Sequence, residues 1–332
     1  MHHHSNQTIQ PITRSSSCVA DFIDSQCLSR VYSLIDRLPF CRAAIIFESI
    51  RIKLRARTEK LKSAKDGAIS NSLNQATAWI SIYLREPRDF ARTALIKNSL
   101  FIRQLEHRRN TLMSRRRIRA YCNNFRMPQR QQYLSLLSRD RRSRILVSYH
   151  FGDYVYGMNF LVSLESPCRK RYVLSHQAAP NEYYLNIRRG LGANAVDRSS
   201  ELLSSDTSIT KLSLLLRKPG NTLVLFCDLP TGFGEPVEVS FLNRLARFPK
   251  GPATLAIINN TPLLPVINFF DGKNNQIEFS RQIEPRLHCD ESLQSGIARI
   301  TQELVSFFES FLHRYPEQWR YLSRLPIYFN DG

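Results

Sequence analysis

Residues Arg144–Asn159, RILVSYHFGDYVYGMN, constrain the fold more than any other stretch of the chain. Ile145, Leu146 and Val147 form a short apolar run, the composition of a strand buried on both faces. His150 stands just past its carboxyl end, and Gly152 breaks the strand. Asp153 is placed to cap a helix that begins near Tyr154. Strand, sharp turn and helix in this order open a parallel α/β unit. In open α/β sheets ligands bind beyond the carboxyl ends of the strands. An imidazole there is placed to take a proton from a hydroxyl or amine near neutral pH; the structural alternative is a histidine that only ties down a loop.

The same texture continues to the C-terminus. Strands are expected at Ile145–Tyr149, Arg171–Ser175, Thr222–Cys227, Leu263–Phe269 and Gln276–Ser280. Helices are expected at Tyr154–Leu164, Asn181–Leu191, Ser208–Arg217, Pro252–Asn259 and Leu293–Arg314. Such alternation implies an α/β fold with a mostly parallel central sheet flanked by helices. The preceding segment reads differently. Apolar positions such as Leu84, Phe90, Leu95, Leu100 and Leu105 recur at helical spacing, and glycine is scarce. The expected organisation is therefore a disordered, Ser-rich stretch over 1–18, a basic helical region over 19–143, and an α/β core over 144–332.

Charge divides the chain at the same place. Residues 1–149 carry 28 Lys and Arg against 10 Asp and Glu, a net of +18, while the whole chain is +19. Two basic clusters stand out: Arg51, Lys53, Arg55, Arg57, Lys60, Lys62 and Lys65, then Arg115, Arg116, Arg117 and Arg119. They are either solvated helix faces or a cationic platform for an anionic partner. The seven cysteines are scattered without a C-x-x-C pair, which argues against a disulfide framework or a zinc site. No apolar run approaches the roughly 20 residues of a membrane span, and no apolar leader opens the chain. The segment Ala43–Phe47, with Phe40 and Ile50 around it and Arg51, Lys53 and Arg55 beyond, suits at most an interfacial amphipathic helix. Packing of these apolar residues onto the α/β core is the preferred alternative.

Four further stretches carry chemistry. Asn181–Val196 joins an Arg-containing helix to a glycine turn, with Arg188 four residues before Gly192. An arginine supplies fixed donors for a phosphate or an oxyanion. Val224–Cys227 is a strand ending in Asp228, followed by the glycine loop Thr231–Gly234 and Phe241. Lys250-Gly251-Pro252 opens a helix whose free N–H groups favour an anion. HRYPEQWRYL, His313–Leu322, reads as a helix end with an aromatic cap, so that packing is the expected role of Trp319 and Tyr321.

Taken together these stretches resemble the late acyltransferases of lipid A biosynthesis, within the lysophospholipid acyltransferase superfamily. HFGDY is similar to the family's H-x-G-N-W-E/D block, Arg188 and Gly192 to its arginine–glycine spacing, Gly251–Ala256 to its G-x-A-x-L-A helix, and Pro316–Tyr321 to its P-E-Q-W/Y-x-W/Y block. The resemblance covers about residues 145–325. It implies an acyltransferase with His150 as general base and an acyl carrier protein, or coenzyme A, as thioester donor. It implies no bound cofactor and no metal. Arg188, Gly152, Lys250 and Gly251 become candidates for substrate or oxyanion binding. One position departs from the pattern: the family's acid five residues after the histidine is Val155 here, and Asp153 stands where the family has Asn. Asp153, nearer in sequence, is then preferred over Asp228 as the carboxylate that orients His150.

Three other readings stay open: a diverged member acting on a carrier-bound or specialised-metabolite substrate, an inactive binding protein, and a nucleic-acid binder. The last lacks a zinc finger or an aromatic-interleaved basic strand, so no nucleic-acid partner is expected. The expected location is the cytoplasm, with at most peripheral attachment to an anionic inner-membrane surface.

Overall fold

A computed structural model of the chain describes residues 46, 49–50, 72–112, 115–164, 170–175, 200–230 and 234–329. Helices α1 (Ser72–Leu84), α2 (Arg88–Thr111), α3 (Arg115–Cys122) and α4 (Arg130–Arg139) come first. Strand β1 (Arg144–Ser148) and helix α5 (Tyr154–Leu164) follow, then β2 (Arg171–Ser175), β3 (Ser200–Ser204), α6 (Ile209–Leu216) and β4 (Thr222–Phe226). A hairpin of β5 (Pro236–Phe241) and β6 (Arg244–Pro249) precedes α7 (Gly251–Asn259), β7 (Leu263–Phe270), β8 (Asn275–Phe279) and α8 (Leu293–Arg314). Two 3-10 turns, Pro316–Gln318 and Leu322–Tyr328, end the described chain.

The central sheet has the order β3-β2-β4-β1-β7-β8. All neighbours are parallel except β8, which runs antiparallel to β7. Every residue of β1 is buried, as its unbroken apolar run requires of a strand covered on both faces. One apolar layer gathers α1, α2, α7 and α8 over one face of the sheet. The other gathers α3, α4 and α5 over the opposite face. The long helix α8 shows how the sequence pattern becomes packing. Ile297, Ile300, Leu304, Phe308, Phe311 and Leu312 recur at three- and four-residue spacing, and all are buried. Each such side chain contributes roughly 1.5–3 kcal/mol. Ser292 caps its start, accepting from the Ser295 N–H at 3.1 Å, and His313 and Arg314 sit in its last turn, where the dipole favours cations.

The strands expected from the sequence are present, each within a residue or so of its anticipated ends. Three elements were not anticipated. β3, Ser-Glu-Leu-Leu-Ser, is a polar edge strand. The β5–β6 hairpin turns through Leu242 and Asn243, both at positive φ (52° and 60°). That is a tight turn built without the glycine that usually announces one. Gln302 of α8 covers the hairpin's edge: it accepts from the Ser240 N–H at 2.7 Å and donates to its carbonyl at 2.9 Å.

No helix among the described residues is long and apolar enough to cross a membrane. Ile46 and Ile50, the described apolar residues of the candidate interfacial segment, are exposed. The first basic cluster, the 1–18 stretch and the 181–191 helix lie outside the described residues.

Candidate active site

Register brings the central pair together. β1 and β4 are parallel, with Ser148 opposite Phe226. Two residues on, His150 therefore stands level with Asp228, each just past the end of its strand. Asp228 is fully buried. Its Oδ1 lies 2.9 Å from His150 Nδ1, and its Oδ2 accepts from the His150 main-chain N–H at 2.8 Å. Oδ2 also accepts from Trp319 Nε1 at 3.0 Å, and the Asp228 carbonyl accepts from the Tyr328 hydroxyl at 2.7 Å. An ionised carboxylate only accepts, so Nδ1 carries the ring proton and Nε2 keeps its lone pair. Among the described residues Nε2 has no hydrogen-bond partner, and the side chain is 14% exposed.

Aromatic rings enclose the imidazole. Phe226, Tyr154 and Tyr321 have ring centroids 4.4, 4.8 and 5.2 Å from it. Burial raises the Tyr321 hydroxyl above the usual phenol range, and Asp228 adds to that, so it is neutral at physiological pH.

The C-terminal segment locks this arrangement. Gln318 reads the end of β7 with both amide atoms, accepting from the Phe270 N–H and donating to its carbonyl, each at 2.7 Å. The Arg320 N–H donates to the His150 carbonyl at 2.9 Å. Asn98 of α2 donates to the carbonyls of Glu317 and Trp319, at 2.9 and 2.7 Å. Trp319 therefore does more than cap the domain: its indole N–H fixes the carboxylate that holds the His150 imidazole. Sequence reading missed this because an indole's packing and hydrogen-bonding roles look alike in one dimension.

The fold corrects several sequence expectations. Asp153 is not the carboxylate beside His150. Its side chain turns toward α2 and α3, where Oδ2 accepts from the Tyr121 hydroxyl at 2.8 Å and lies 3.5 Å from Arg108 Nη1. Nor does it cap α5 with its side chain; its main-chain carbonyl accepts the first helical bond, from Gly157 N–H at 2.9 Å. Gly152 does not offer its N–H to an oxyanion, because that N–H donates to the Gln318 carbonyl at 3.1 Å. Its role is steric: φ is +56°, and a Cβ there would meet the Asn268 carbonyl oxygen at 2.4 Å. Lys250 pairs with Glu235 at the start of the hairpin. Gly251 opens α7 onto free space. Among the described residues neither touches the His150 group. Arg188 lies outside the described residues.

Beside the His150–Asp228 pair is a second polar cluster. Tyr121 accepts from Arg108 Nη1 at 2.6 Å and from Asn275 Nδ2 at 3.0 Å while donating to Asp153. Burial, reinforced by the Asp153 charge, raises Tyr121 well above the usual phenol range, so it is held as a donor. Burial alone would lower Arg108, and attraction to Tyr121 and Asp153 overrides it, leaving it raised. Among the described residues no group of three His, Cys, Asp or Glu side chains is arranged to hold a metal ion.

Chemically the site offers an imidazole held at Nδ1 by a buried carboxylate and walled by aromatic rings. An imidazole so held is suited to accept a proton at Nε2. A sequence model of the family described as bacterial lipid A biosynthesis acyltransferase matches residues 106–325. The chain is also similar to a phosphatidylinositol mannoside acyltransferase of Mycobacterium tuberculosis (strain CDC 1551 / Oshkosh), 34% identical over 86 residues. These cover 26% of this chain and 25% of that protein. A protein of the same name from Mycolicibacterium smegmatis is 31% identical over 86 residues, 26% of each chain. The similarity thus spans about a quarter of the length of these relatives.

Proposed function

The chain belongs to the bacterial lipid A biosynthesis acyltransferase family, and from that premise we propose that it moves an acyl group from a thioester donor to a hydroxyl acceptor. The observation that carries this reading is the 2.9 Å contact between His150 Nδ1 and Asp228 Oδ1. It leaves the Nε2 lone pair to act as the base. The acceptor O–H gives its proton to Nε2 as its oxygen attacks the thioester carbonyl carbon. The tetrahedral oxyanion collapses, the C–S bond breaks, and the leaving thiolate takes the proton from the imidazolium. Asp228 stabilises that imidazolium while it exists. General-base assistance of this kind contributes roughly 10²–10⁴-fold. Arg188 remains the candidate for oxyanion or phosphate binding.

The relatives' printed names favour a glycolipid hydroxyl over an amine as acceptor. An acyl carrier protein is the preferred donor, with coenzyme A as the alternative. Either carrier is anionic, as is a lipid headgroup surface. Arg116, Arg117 and Arg119 are exposed on α3, which suits docking of such a partner. That attraction weakens once salt shortens the screening length below about 8 Å. On this reading the enzyme is cytoplasmic and peripheral, detached from membrane by salt, and needs no bound cofactor.

The test is mass analysis of products after incubation with acyl carrier protein, or coenzyme A, loaded with chains of different length. We expect acyl transfer to a glycolipid hydroxyl, abolished by His150→Ala in a folded protein. Near-wild-type turnover of His150→Ala would remove His150 from the mechanism. Charge reversal at Arg116 and Arg117 should raise KM for the carrier-bound donor or release the protein from anionic vesicles. No change in either assay leaves α3 an ordinary solvated face.

A further inference from the structure

Asp153 stands three residues from His150, is 1% exposed, and serves neither as its carboxylate partner nor as a side-chain helix cap. It faces two guanidinium groups, Arg108 Nη1 at 3.5 Å and Arg109 Nη2 at 3.9 Å. Arg109 is itself 4% exposed. Burying an ion pair is a poor way to add stability, because desolvation offsets most of the attraction. Its return is a fixed geometry, so what that geometry touches matters.

Arg109 touches Tyr154. Its guanidinium carbon lies 4.9 Å from the Tyr154 ring centroid, a cation–π contact. The Tyr154 ring meets the imidazole of His150 at 4.8 Å and 68°, edge to face. Asp153, Arg109, Tyr154 and His150 thus form one continuous run of contacts. Asp228 pins the imidazole at Nδ1 alone, and a ring held at one atom still swings about that bond. Phe226 and Tyr321 restrict the swing from other directions, and Tyr154 is itself held by the Arg109 guanidinium stacked on its ring.

We propose that Asp153 and Arg109 are a positioning pair for His150: Asp153 holds the Arg109 guanidinium against Tyr154, and Tyr154 sets the angle at which Nε2 meets the acceptor. The pair spans α2 and the turn before α5, so it also couples the basic helices to the base. The proposal rests on the reading of His150 as the general base.

The test compares wild type with Arg109→Met and Arg109→Lys by steady-state kinetics, together with NMR of the His150 ring C–H signals in the unliganded protein. Arg109→Met should lower kcat roughly 10- to 100-fold, the size expected of a small misplacement of a catalytic group. KM for the donor should stay within about twofold on the same argument, and the His150 ring signals should shift as Tyr154 moves. Arg109→Lys keeps the charge toward Asp153 and loses the flat stack, so it should recover part of kcat. If Arg109→Met does not fold, Tyr154→Leu leaves the ion pair in place and should show the same fall and the same shift. Unchanged kcat in a folded variant overturns the proposal, and so does a fall in kcat with unmoved ring signals. If wild type transfers no acyl group, the failure belongs to the acyltransferase reading, and the ring signals alone decide whether the pair positions His150.

Discussion

Asp228→Asn replaces one oxygen by an NH2 group, and the geometry fixes which one. Asp228 Oδ2 accepts two N–H donors, from His150 at 2.8 Å and Trp319 at 3.0 Å. An Asn side chain therefore keeps its carbonyl oxygen at that position, since the flipped amide would set its hydrogens against both donors. The NH2 group is left facing His150 Nδ1, where it donates rather than accepts. The imidazole must then carry its proton on Nε2, the atom that receives the acceptor's proton in the proposed mechanism. A forced wrong tautomer of this kind costs about 10⁴-fold in kcat, or roughly 5 kcal/mol of transition-state stabilisation. The two bonds to the retained oxygen survive in neutral form, so stability should fall by only about 1–2 kcal/mol. KM should change little, because substrate contacts are untouched. Single-turnover acyl transfer, with near-ultraviolet circular dichroism to confirm the fold, is the assay. Activity within tenfold of wild type would refute the tautomer argument, as would a loss expressed wholly in KM.

Trp319→Phe removes one of those two donors but keeps most of the packing; it should cost about 1–3 kcal/mol in denaturant unfolding, with a fall in kcat smaller than that of Asp228→Asn. Gly152→Ala forces a Cβ against Asn268 at positive φ; the strained backbone and the clash together should destabilise by about 2–5 kcal/mol, read as a lowered melting temperature. Burial, and next the Asp153 charge, pushes the Cys122 thiol up to about 12, and burial pushes Cys227 well above its usual range, whereas Cys289 is exposed. Alkylation of the native protein near pH 8 should therefore label Cys289 and spare Cys122 and Cys227 until unfolding, as peptide mass mapping will show. Glu291 is lowered from 4.5 to about 2, chiefly by its hydrogen bonds from Arg299. Its contribution to stability is present above pH 4.5 and lost as pH falls toward 2, so Arg299→Met should flatten the melting-temperature profile across that window.

The sequence by itself determined five of the six strands of the central sheet and their succession along the chain, but not the polar edge strand β3. The short run Ile145–Val147, closed by Gly152, favours a buried strand, and the spacing of Ile297, Ile300, Leu304, Phe308 and Phe311 a helix with one buried face. Both are period signals, readable along the chain. The hairpin was partly legible too: PVEVSF alternates, with Val237, Val239 and Phe241 inward, but a Leu-Asn turn lacks the glycine that marks most hairpins. His150 was singled out in one dimension by its place past a buried strand together with the resemblance of HFGDY to the family block, since a lone histidine there could equally tie down a loop. Its partner was not. Proximity in sequence favoured Asp153, three residues away, over Asp228, which is 78 residues distant. What decided between them was strand order: β4 lies beside β1 in parallel, with Ser148 opposite Phe226, and that register puts Asp228 level with the imidazole. Trp319, Asn98 and Arg109 join the site the same way, by hydrogen bonds and stacking across separate elements. The period of a chain encodes which face of an element is buried. Which elements become neighbours, and at what register, is settled by the packing of all of them at once.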